Sequence, residues 1–563
     1  MPADEPAEEL RHRVESWLEV DPDPETRAEL ERLVANGDGE ALAERFSGRL
    51  VFGTAGIRGI QRGGPNGMNR VTVRRMVAGI ASFLGPQNHV VIGYDARHNS
   101  EAFARDAADV LAANGIEASL LSGQVPTPVL SFAVPHLGAD LGLMVTASHN
   151  PPADNGCKVF LRDGAQLVSP IDTEIEAAID SVEIPARTLP PLAEGGAVNV
   201  LDRQVVIAEY VSAIVAEVPL APPVEAPVAY TPLHGVGRDV LMILFDAAGA
   251  GQPSVVDTQG DPDPEFPTVV FPNPEEAGVM DAVVALARSE DCVLAVANDP
   301  DADRLAVAIP VRGHDGSSAW RTLTGDELGA LLCDRRLETT DGPARKVVST
   351  VVCSSLVEKM ARAAGVHHRV TLTGFKWIIG EAYADADLEP VFAYEESLGY
   401  ATCHAVRDKD GLSAALRIVE LAEHLRRLGT NVAEHLDELA VRHGLHVTKH
   451  ASVRFEGPSA VEDASSAVDA LRLRAPHVLA SRAVVGRVDY AEGGELPPTN
   501  LLRIDLEGGI RVLIRPSGTE PKTKLYLEKV VDVADVSEVP LARHQALEEL
   551  SALVPQLESA LLG

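Results

Sequence analysis

One pattern occurs three times in this chain and limits what it can fold into. HVVIGYDARHNSEAFARDAADVLAANGIEASLL begins at His89, APVAYTPLHGVGRDVLMILFDAAGAGQPSVV at Ala226, and RKVVSTVVCSSLVEKMARAAGVHHRVTL at Arg345. Each reads as a short apolar strand, a polar turn, an amphipathic helix, a glycine stop and a second strand. The stops are Gly115, Gly249 and Gly365, and glycine suits the position just past a helix end, where φ is often positive. Strands alternating with helices predict parallel-type α/β sheets. Three such units predict three related α/β domains. At 563 residues the chain is too long for one core, so three to five domains are expected.

The flanks differ from the repeats. Residues 1–47 read as an N-terminal helical extension with charged faces. Near the other end, TNLLRIDLEGGIRVLIRP holds two alternating stretches about Glu507-Gly508-Gly509, which predicts a hairpin. KTKLYLEKV adds a third strand and HQALEELSALVPQLESALL a closing helix, together a smaller α+β domain. The Pro- and Gly-rich IPARTLPPLAEGG over 184–196 marks a loop or boundary. The resulting division is 1–47, the extension; 48–220, 221–338 and 339–445, the three α/β domains; and 446–563, the α+β domain.

Formal net charge is −34. That argues against a nucleic-acid surface, which needs clustered Lys and Arg. It also means that an anionic ligand would require basic residues gathered locally against the global field. The five cysteines, Cys157, Cys292, Cys333, Cys353 and Cys403, are scattered and never form CxxC. A disulfide framework or zinc site is not expected, and a reducing cytoplasm fits. The acidic start MPADEPAEEL has no apolar core of a signal peptide, and no run of 18 or more apolar residues suggests a membrane span.

Four segments carry chemistry. In LGLMVTASHNPPADNGCKVF an apolar strand, 141–145, runs into Thr146-Ala147-Ser148-His149-Asn150-Pro151. The prolines forbid a helix and predict an exposed loop, where Ser148 is placed as a nucleophile or phosphate carrier, with His149 and Lys158 as local polar partners. An ordinary strand-end turn is the alternative. In DCVLAVANDPDADRLAVAI two apolar strands flank Asp299, Asp301 and Asp303. Three alternate carboxylates at a strand end need a cation, and oxygen ligands suit a hard ion such as Mg²⁺. An EF-hand is excluded, since Arg304 stands at the sixth position and Pro310 at the twelfth. Arg304 is placed to offset charge or touch phosphate.

Arg515-Pro516-Ser517-Gly518-Thr519-Glu520-Pro521-Lys522 has a guanidinium, two hydroxyls and a glycine within five residues, a set that fits a phosphate cradle. It is not a Walker A loop. Tyr394-Glu395-Glu396-Ser397-Leu398-Gly399-Tyr400 alternates carboxylate and hydroxyl, a pattern that fits vicinal sugar hydroxyls or a solvated loop. FGTAGIRG puts Arg58 in a glycine-rich loop, and TGFKW puts Lys376 between aromatics; each read alone is more often a structural turn.

Jointly, TASHNP, DPDADR, EES-G and RPSGTEPK, in that order from about Phe52 to Tyr526, resemble the α-D-phosphohexomutase family, the phosphoglucomutases and phosphomannomutases. The extension, TGFKW and EESLGY look most like the branch holding phosphoglucomutase-2-type enzymes. The resemblance implies a heart-shaped molecule of four domains around a central cleft. It implies a phosphorylated Ser148, with Mg²⁺ held by Asp299, Asp301, Asp303 and that phosphate. It places sugar hydroxyls on Glu395 and Ser397, and the other phosphate on Arg515, Ser517, Gly518 and Thr519. Arg58, His149 and Lys158 match positions beside the phosphoserine, and Lys376 a lysine of the sugar-specificity loop.

The implied activity interconverts glucose or mannose 1- and 6-phosphates through a sugar bisphosphate, with ribose or deoxyribose 1- and 5-phosphates as the alternative substrates. A metal-dependent phosphatase and a non-catalytic sugar-phosphate sensor are further alternatives; the Arg515 cradle argues against the first and an intact Ser148 against the second. The partner is a small phosphosugar, with neither nucleic acid nor membrane, and the chain is a monomer or homodimer. One departure stands out. Many bacterial members have a histidine after the glycine of the sugar loop, where this chain has Tyr400; His404 lies four residues on.

Overall fold

The computed structural model describes residues 7–53, 56–182, 198–221, 223–312, 317–457, 459–517 and 521–562. The boundary segment at 184–196, together with Gly518 and Thr519 of the expected phosphate cradle, lies outside the described residues.

All three repeats form as their periodicity predicts. The strand–helix–strand sets are His89–Tyr94, Ser100–Ala113 and Glu117–Leu121; Val228–Thr231, Gly237–Ala248 and Ser254–Val255; and Arg345–Thr350, Leu356–Ala363 and His367–Thr371. In each set the two strands pair in parallel. Gly115, Gly249 and Gly365 have φ of 73°, 71° and 65°, the left-handed turn that ends a helix cheaply only when no Cβ is present. Strands covered on both faces are apolar throughout, and His89–Tyr94 is buried from Val90 onward.

The chain forms two compact units. The first comprises residues 1–306 and 399–420, the second 307–398 and 421–563. In the first, a mixed six-stranded sheet runs in the order Ile57–Ile60, Asp154–Leu161, Leu141–Val145, His89–Tyr94, Glu117–Leu121, Val198–Leu201. Asp154–Leu161 runs antiparallel to both of its neighbours. Beside this sheet Val228–Thr231 pairs in parallel with both Ser254–Val255 and Leu294–Asn298. The extension forms three helices, Ala7–Val20, Pro24–Asn36 and Gly39–Phe46, around a small core of Val14, Trp17, Leu30, Leu42, Phe46 and Val71.

In the second unit, Arg345–Thr350 lies between His367–Thr371 and Glu389–Glu395, parallel to both. The C-terminal sheet is antiparallel. Its expected hairpin pairs Leu502–Leu506 with Ile510–Pro516, turning on Gly508 and Gly509 at φ of 85° and 75°. Helices Ala460–Arg474 and Val539–Leu562 share its apolar core. All five cysteines are buried and free. Among the described residues no helix is long and apolar enough to cross a membrane.

Two features of the second unit generate predictions. Helix Gly325–Thr339 starts beneath the sugar-loop backbone, and a Cβ on Gly325 would lie 1.8 Å from the Glu396 carbonyl oxygen. Gly325→Ala is expected to destabilise by about 1–3 kcal/mol despite its better helix propensity, read as a lowered urea midpoint by circular dichroism. Buried Glu528 accepts from Ser354 Oγ (2.6 Å), Ser355 N (2.8 Å) and Ser355 Oγ (3.0 Å). It also meets Arg511 at 2.9 Å and His446 Nδ1 at 2.9 Å. Burial works against its charge, but Arg511, His446 and Ser354 outweigh burial and hold the carboxyl at about 2, below the usual 4.5. A lowered carboxyl stabilises above its unfolded value and loses that contribution as pH falls. Stability on the order of 3 kcal/mol should therefore be lost between about pH 4.5 and pH 2, and Glu528→Gln should flatten that part of the stability–pH curve.

Candidate active site

Strand Leu141–Val145 delivers the TASHNP loop as expected, but the loop is not exposed at its serine. Ser148 is 2% exposed and Thr146 fully buried. Two contacts draw the turn inward. Ser148 Oγ donates to Asp299 Oδ2 at 2.7 Å, and Ser148 N donates to Thr146 Oγ1 at 2.9 Å. Ser148 sits at φ 52°, a backbone conformation that costs a non-glycine residue roughly 1–3 kcal/mol and persists only where surroundings enforce it.

Arg97 enforces it. Its guanidinium donates to four carbonyls of the loop: Asn150 at 2.6 Å, Ser148 at 2.7 Å, Pro151 at 2.8 Å and Asp154 at 3.0 Å. It stacks 4.9 Å from the Phe266 ring centre, with Asp95 Oδ2 3.5 Å from Nε. Burial pulls the guanidinium down and Asp95 opposes that. Sequence reasoning missed Arg97. The available signal was DARHN at the end of the first repeat's strand, where an arginine follows closely on an aspartate.

Asp299, Asp301 and Asp303 follow strand Leu294–Asn298 and are fully buried, with one carboxylate oxygen of each within 4.8 Å of the others. Ala302 between them has φ 57°, which turns successive aspartates to one side. Lys158 Nζ, from the strand paired with that of Arg58, donates at 2.6 Å to both Asp301 Oδ2 and Asp303 Oδ2. Thr127 Oγ1 donates to Asp301 Oδ2 at 2.6 Å. Arg304 Nε is 4.0 Å from Asp299 and from Asp303, close enough to offset their charge. Burial and the Asp301 charge push Asp303 up, yet Lys158, Lys409 and Arg304 leave its carboxyl lowered.

Among the described residues nothing donates a hydrogen bond to the buried Asp301 Oδ1 or Asp303 Oδ1. Orphaned acceptors of this kind are costly, and an all-oxygen set suits a hard divalent cation. The residues therefore fit a metal.

Arg58 is part-buried; burial pulls its guanidinium down while Asp301 and Asp303 oppose. His149 Nδ1 is 3.4 Å from Ser148 Oγ and 3.8 Å from Asp299. Burial, then Arg304 and Arg58, push its imidazole well below the usual value, so it is neutral at neutral pH. The loop after Tyr400 keeps its histidine away from the aspartates. His404 is exposed, its backbone N–H held by Glu217 at 2.8 Å, and Tyr400 is fully buried. The group that reaches the aspartates is Lys409, whose Nζ is 3.1 Å from Asp303 Oδ2. It is flanked by Asp408, which Gln166 holds at 2.7 Å. Lys409 carried no sequence signal, because RDKDG reads as a solvated charge run.

In the second unit Glu395 and Arg515 both act on the Tyr526 phenol. Burial pushes that phenol up, Glu396 and Glu395 add to the effect, and Arg515 opposes it. Arg515 also donates to Thr373 Oγ1 of the TGFKW turn. Lys376, 8% exposed, lies 5.2 Å from the Trp377 ring centre. Ser517 N donates to the Lys522 carbonyl at 2.8 Å, closing the cradle loop at its base. Glu396, beside the expected Glu395, is tied into the sheet by accepting from Thr350 Oγ1 at 3.3 Å.

The fold and this site together define a phosphosugar mutase, and comparison with known proteins agrees. Models of the phosphoglucomutase/phosphomannomutase alpha/beta/alpha domains I, II and III match residues 49–185, 208–312 and 324–442, and that of the C-terminal domain matches 460–542. The probable phosphomannomutase of Haemophilus influenzae is 38% identical over 469 residues, covering 82% of this chain and 93% of that one. Human phosphopentomutase is 35% identical over 474 residues, covering 78% and 76%. The crystal structure of a putative phosphomannomutase from Thermus thermophilus aligns with a TM-score of 0.66 at 25% identity, covering 89% of this chain and 99% of that one. The chain belongs to the phosphoglucomutase/phosphomannomutase family and is an enzyme of the phosphotransferring mutase class.

Arg97→Lys offers three donors from one point in place of a planar fork aimed at four carbonyls. It is expected to lower kcat by about tenfold to a hundredfold, as small misplacements of reacting groups do, with the protein still folded by circular dichroism.

Proposed function

We propose that the enzyme interconverts hexose 1-phosphate and hexose 6-phosphate, glucose or mannose, with phospho-Ser148 as phosphoryl donor and acceptor. The observation that carries this reading is the seating of Ser148 Oγ, 2.7 Å from Asp299, against three fully buried aspartates. Phospho-Ser148 gives its phosphoryl group to the free hydroxyl of a sugar monophosphate, and the hydroxyl proton passes to a nearby base. Neutral His149 is suited to accept it and to pass it to the departing Ser148 Oγ, 3.4 Å away, while the cations Arg58 and Lys158 assist by offsetting the charge that develops. The resulting bisphosphate returns its other phosphoryl group to Ser148, whose departing proton already faces Asp299. Mg²⁺ on Asp299, Asp301 and Asp303 would neutralise charge on the transferring phosphoryl oxygens. Lys158, Lys409 and Arg304 hold and offset the aspartates. Glu395 and Ser397 are assigned to sugar hydroxyls, Lys376 to sugar specificity, and Arg515 and Ser517, with Gly518 and Thr519, to the phosphate that is not transferring.

A pentose reading is favoured by the similarity to human phosphopentomutase. Phosphorus NMR separates the two. Ser148-phosphorylated enzyme with Mg²⁺ is given the 1-phosphates of glucose, mannose, N-acetylglucosamine, ribose and deoxyribose, each with a trace of its bisphosphate. Formation of 6-phosphate without inorganic phosphate is expected. A preference for 5-phosphate would transfer the assignment to pentoses, and release of inorganic phosphate alone would overturn it. Ser148→Ala should lower turnover by at least about a thousandfold. Chelation should abolish activity and Mg²⁺ restore it.

A further inference from the structure

The helical extension makes specific contacts with the turn that follows the Arg58 strand. Glu29 is at the centre of them. Its Oε2 accepts from Gly63 N at 2.8 Å, while its Oε1 accepts from Arg45 Nε at 3.1 Å and from the terminal Arg45 nitrogen at 2.5 Å. Gly63 is pressed against the same helix, since a Cβ there would lie 2.7 Å from Leu30 Cγ and 2.9 Å from the Thr26 carbonyl oxygen. The Arg45 carbonyl accepts from Asn66 N at 3.0 Å, and Arg62 meets Glu44 at 2.8 Å. Within the turn, the Asn69 amide donates to the carbonyls of Arg62, Gly64 and Gly67. The turn is thus tied together internally and bonded to the extension.

Two residues before Gly63, the turn joins the catalytic backbone. Gln61 N donates to the Ala153 carbonyl at 2.7 Å, at the far end of the loop that begins with Ser148. Gln61 Oε1 accepts from Asn99 at 3.1 Å, two residues from Arg97. Strand Ile57–Ile60 continues the pairing, with Ile60 opposite Asp154 and Arg58 opposite Gly156. The register that sets Arg58 beside Lys158's strand is therefore held at one end by Gln61 and, through the turn, by Glu29.

We propose that Glu29 is a positioning residue for phosphoryl transfer, by which the N-terminal extension fixes the Arg58 strand and closes the Ser148 loop. This rests on phospho-Ser148 as the carrier. Glu29 touches no reacting atom; it acts through Gly63, Gln61 and Ala153. Without its side-chain acceptor for Gly63 N the turn is free to shift against the loop, which misplaces Arg58 and loosens the backbone around the phosphoserine.

The test compares wild type, Glu29→Ala and Glu29→Gln in the full chain, each phosphorylated at Ser148 and normalised to phosphoserine content by mass spectrometry. Glu29→Gln keeps an acceptor for Gly63 N and loses the ion pair with Arg45. Glu29→Ala is expected to lower kcat by about tenfold or more with KM little changed, and to shorten the lifetime of the phosphoserine against water. Glu29→Gln should recover most of both. Wild-type kcat and phosphoserine lifetime in Glu29→Ala would overturn the proposal, whatever its thermal midpoint. So would equal loss in Glu29→Gln, which would assign the effect to the Arg45 ion pair. Should the wild type itself turn over without phosphoserine, the carrier assignment fails instead, and the two failures are separate results.

Discussion

Everything at the first unit's site follows from the cost of sinking three carboxylates at one strand end. Uncompensated buried charge costs several kcal/mol per ion, and Asp299, Asp301 and Asp303 are all fully buried. Compensation comes from segments far apart in sequence. Lys158 lies on an edge-side strand of the six-stranded sheet, Arg304 follows the aspartates directly, and Lys409 arrives from the segment that rejoins this unit at residue 399. The hydroxyls of Ser148 and Thr127 complete the ring. The acidic loop is therefore the point where the strand framework of one repeat is tied to the nucleophile loop of another. The same compensation leaves two orphaned oxygens, on Asp301 and Asp303, with capacity for a cation.

A second constraint concerns backbone. Ser148 is useful only if its hydroxyl is aimed at the aspartates, and it is held there at a positive φ, which a residue with a side chain does not prefer. Arg97 supplies the enforcement by gathering four carbonyls on one fork. An arginine buried for this purpose does not contact the reaction, yet the geometry of the serine depends on it. Its own position depends on Asp95 and on the Phe266 ring, so the segment that carries Phe266 contributes to the nucleophile through Arg97.

Periodicity carried most of the fold. Strand Leu141–Val145, the three strand–helix–strand repeats with their glycine stops and the Gly508–Gly509 hairpin were all legible, because alternation, helical spacing and positive-φ glycines are local properties. The chemistry of the aspartates was legible too, since three alternate carboxylates between apolar strands admit few physical explanations. What could not be read was tertiary. Ser148 looked exposed because its prolines mark a loop, and only the inward pull of Arg97 and Asp299 buries it. Lys409 looked like one charge among several, and nothing local shows that RDKDG folds back toward Asp303. His404 shares a residue type with the histidine of many bacterial relatives, but its position four residues on leaves it exposed.

The overall charge of −34 bears on the same site. A mutase of sugar phosphates must accept a dianion, and a uniformly acidic surface would oppose its approach. Exposed charges act over only about 8 Å at physiological ionic strength, so the distant acidity is largely screened. The charges that are not screened are those sunk in low dielectric, and there cations stand beside the buried carboxylates. Arg58, Arg97, Lys158, Arg304 and Lys409 all lie in or against the buried site, with Arg97, Lys158 and Lys409 less than a tenth exposed. Burial strengthens each interaction with a phosphoryl oxygen and withholds it from bulk anions. A chain can therefore be strongly acidic outside, which keeps it dispersed, and still hold cations where the phosphate must rest, balanced by buried carboxylates.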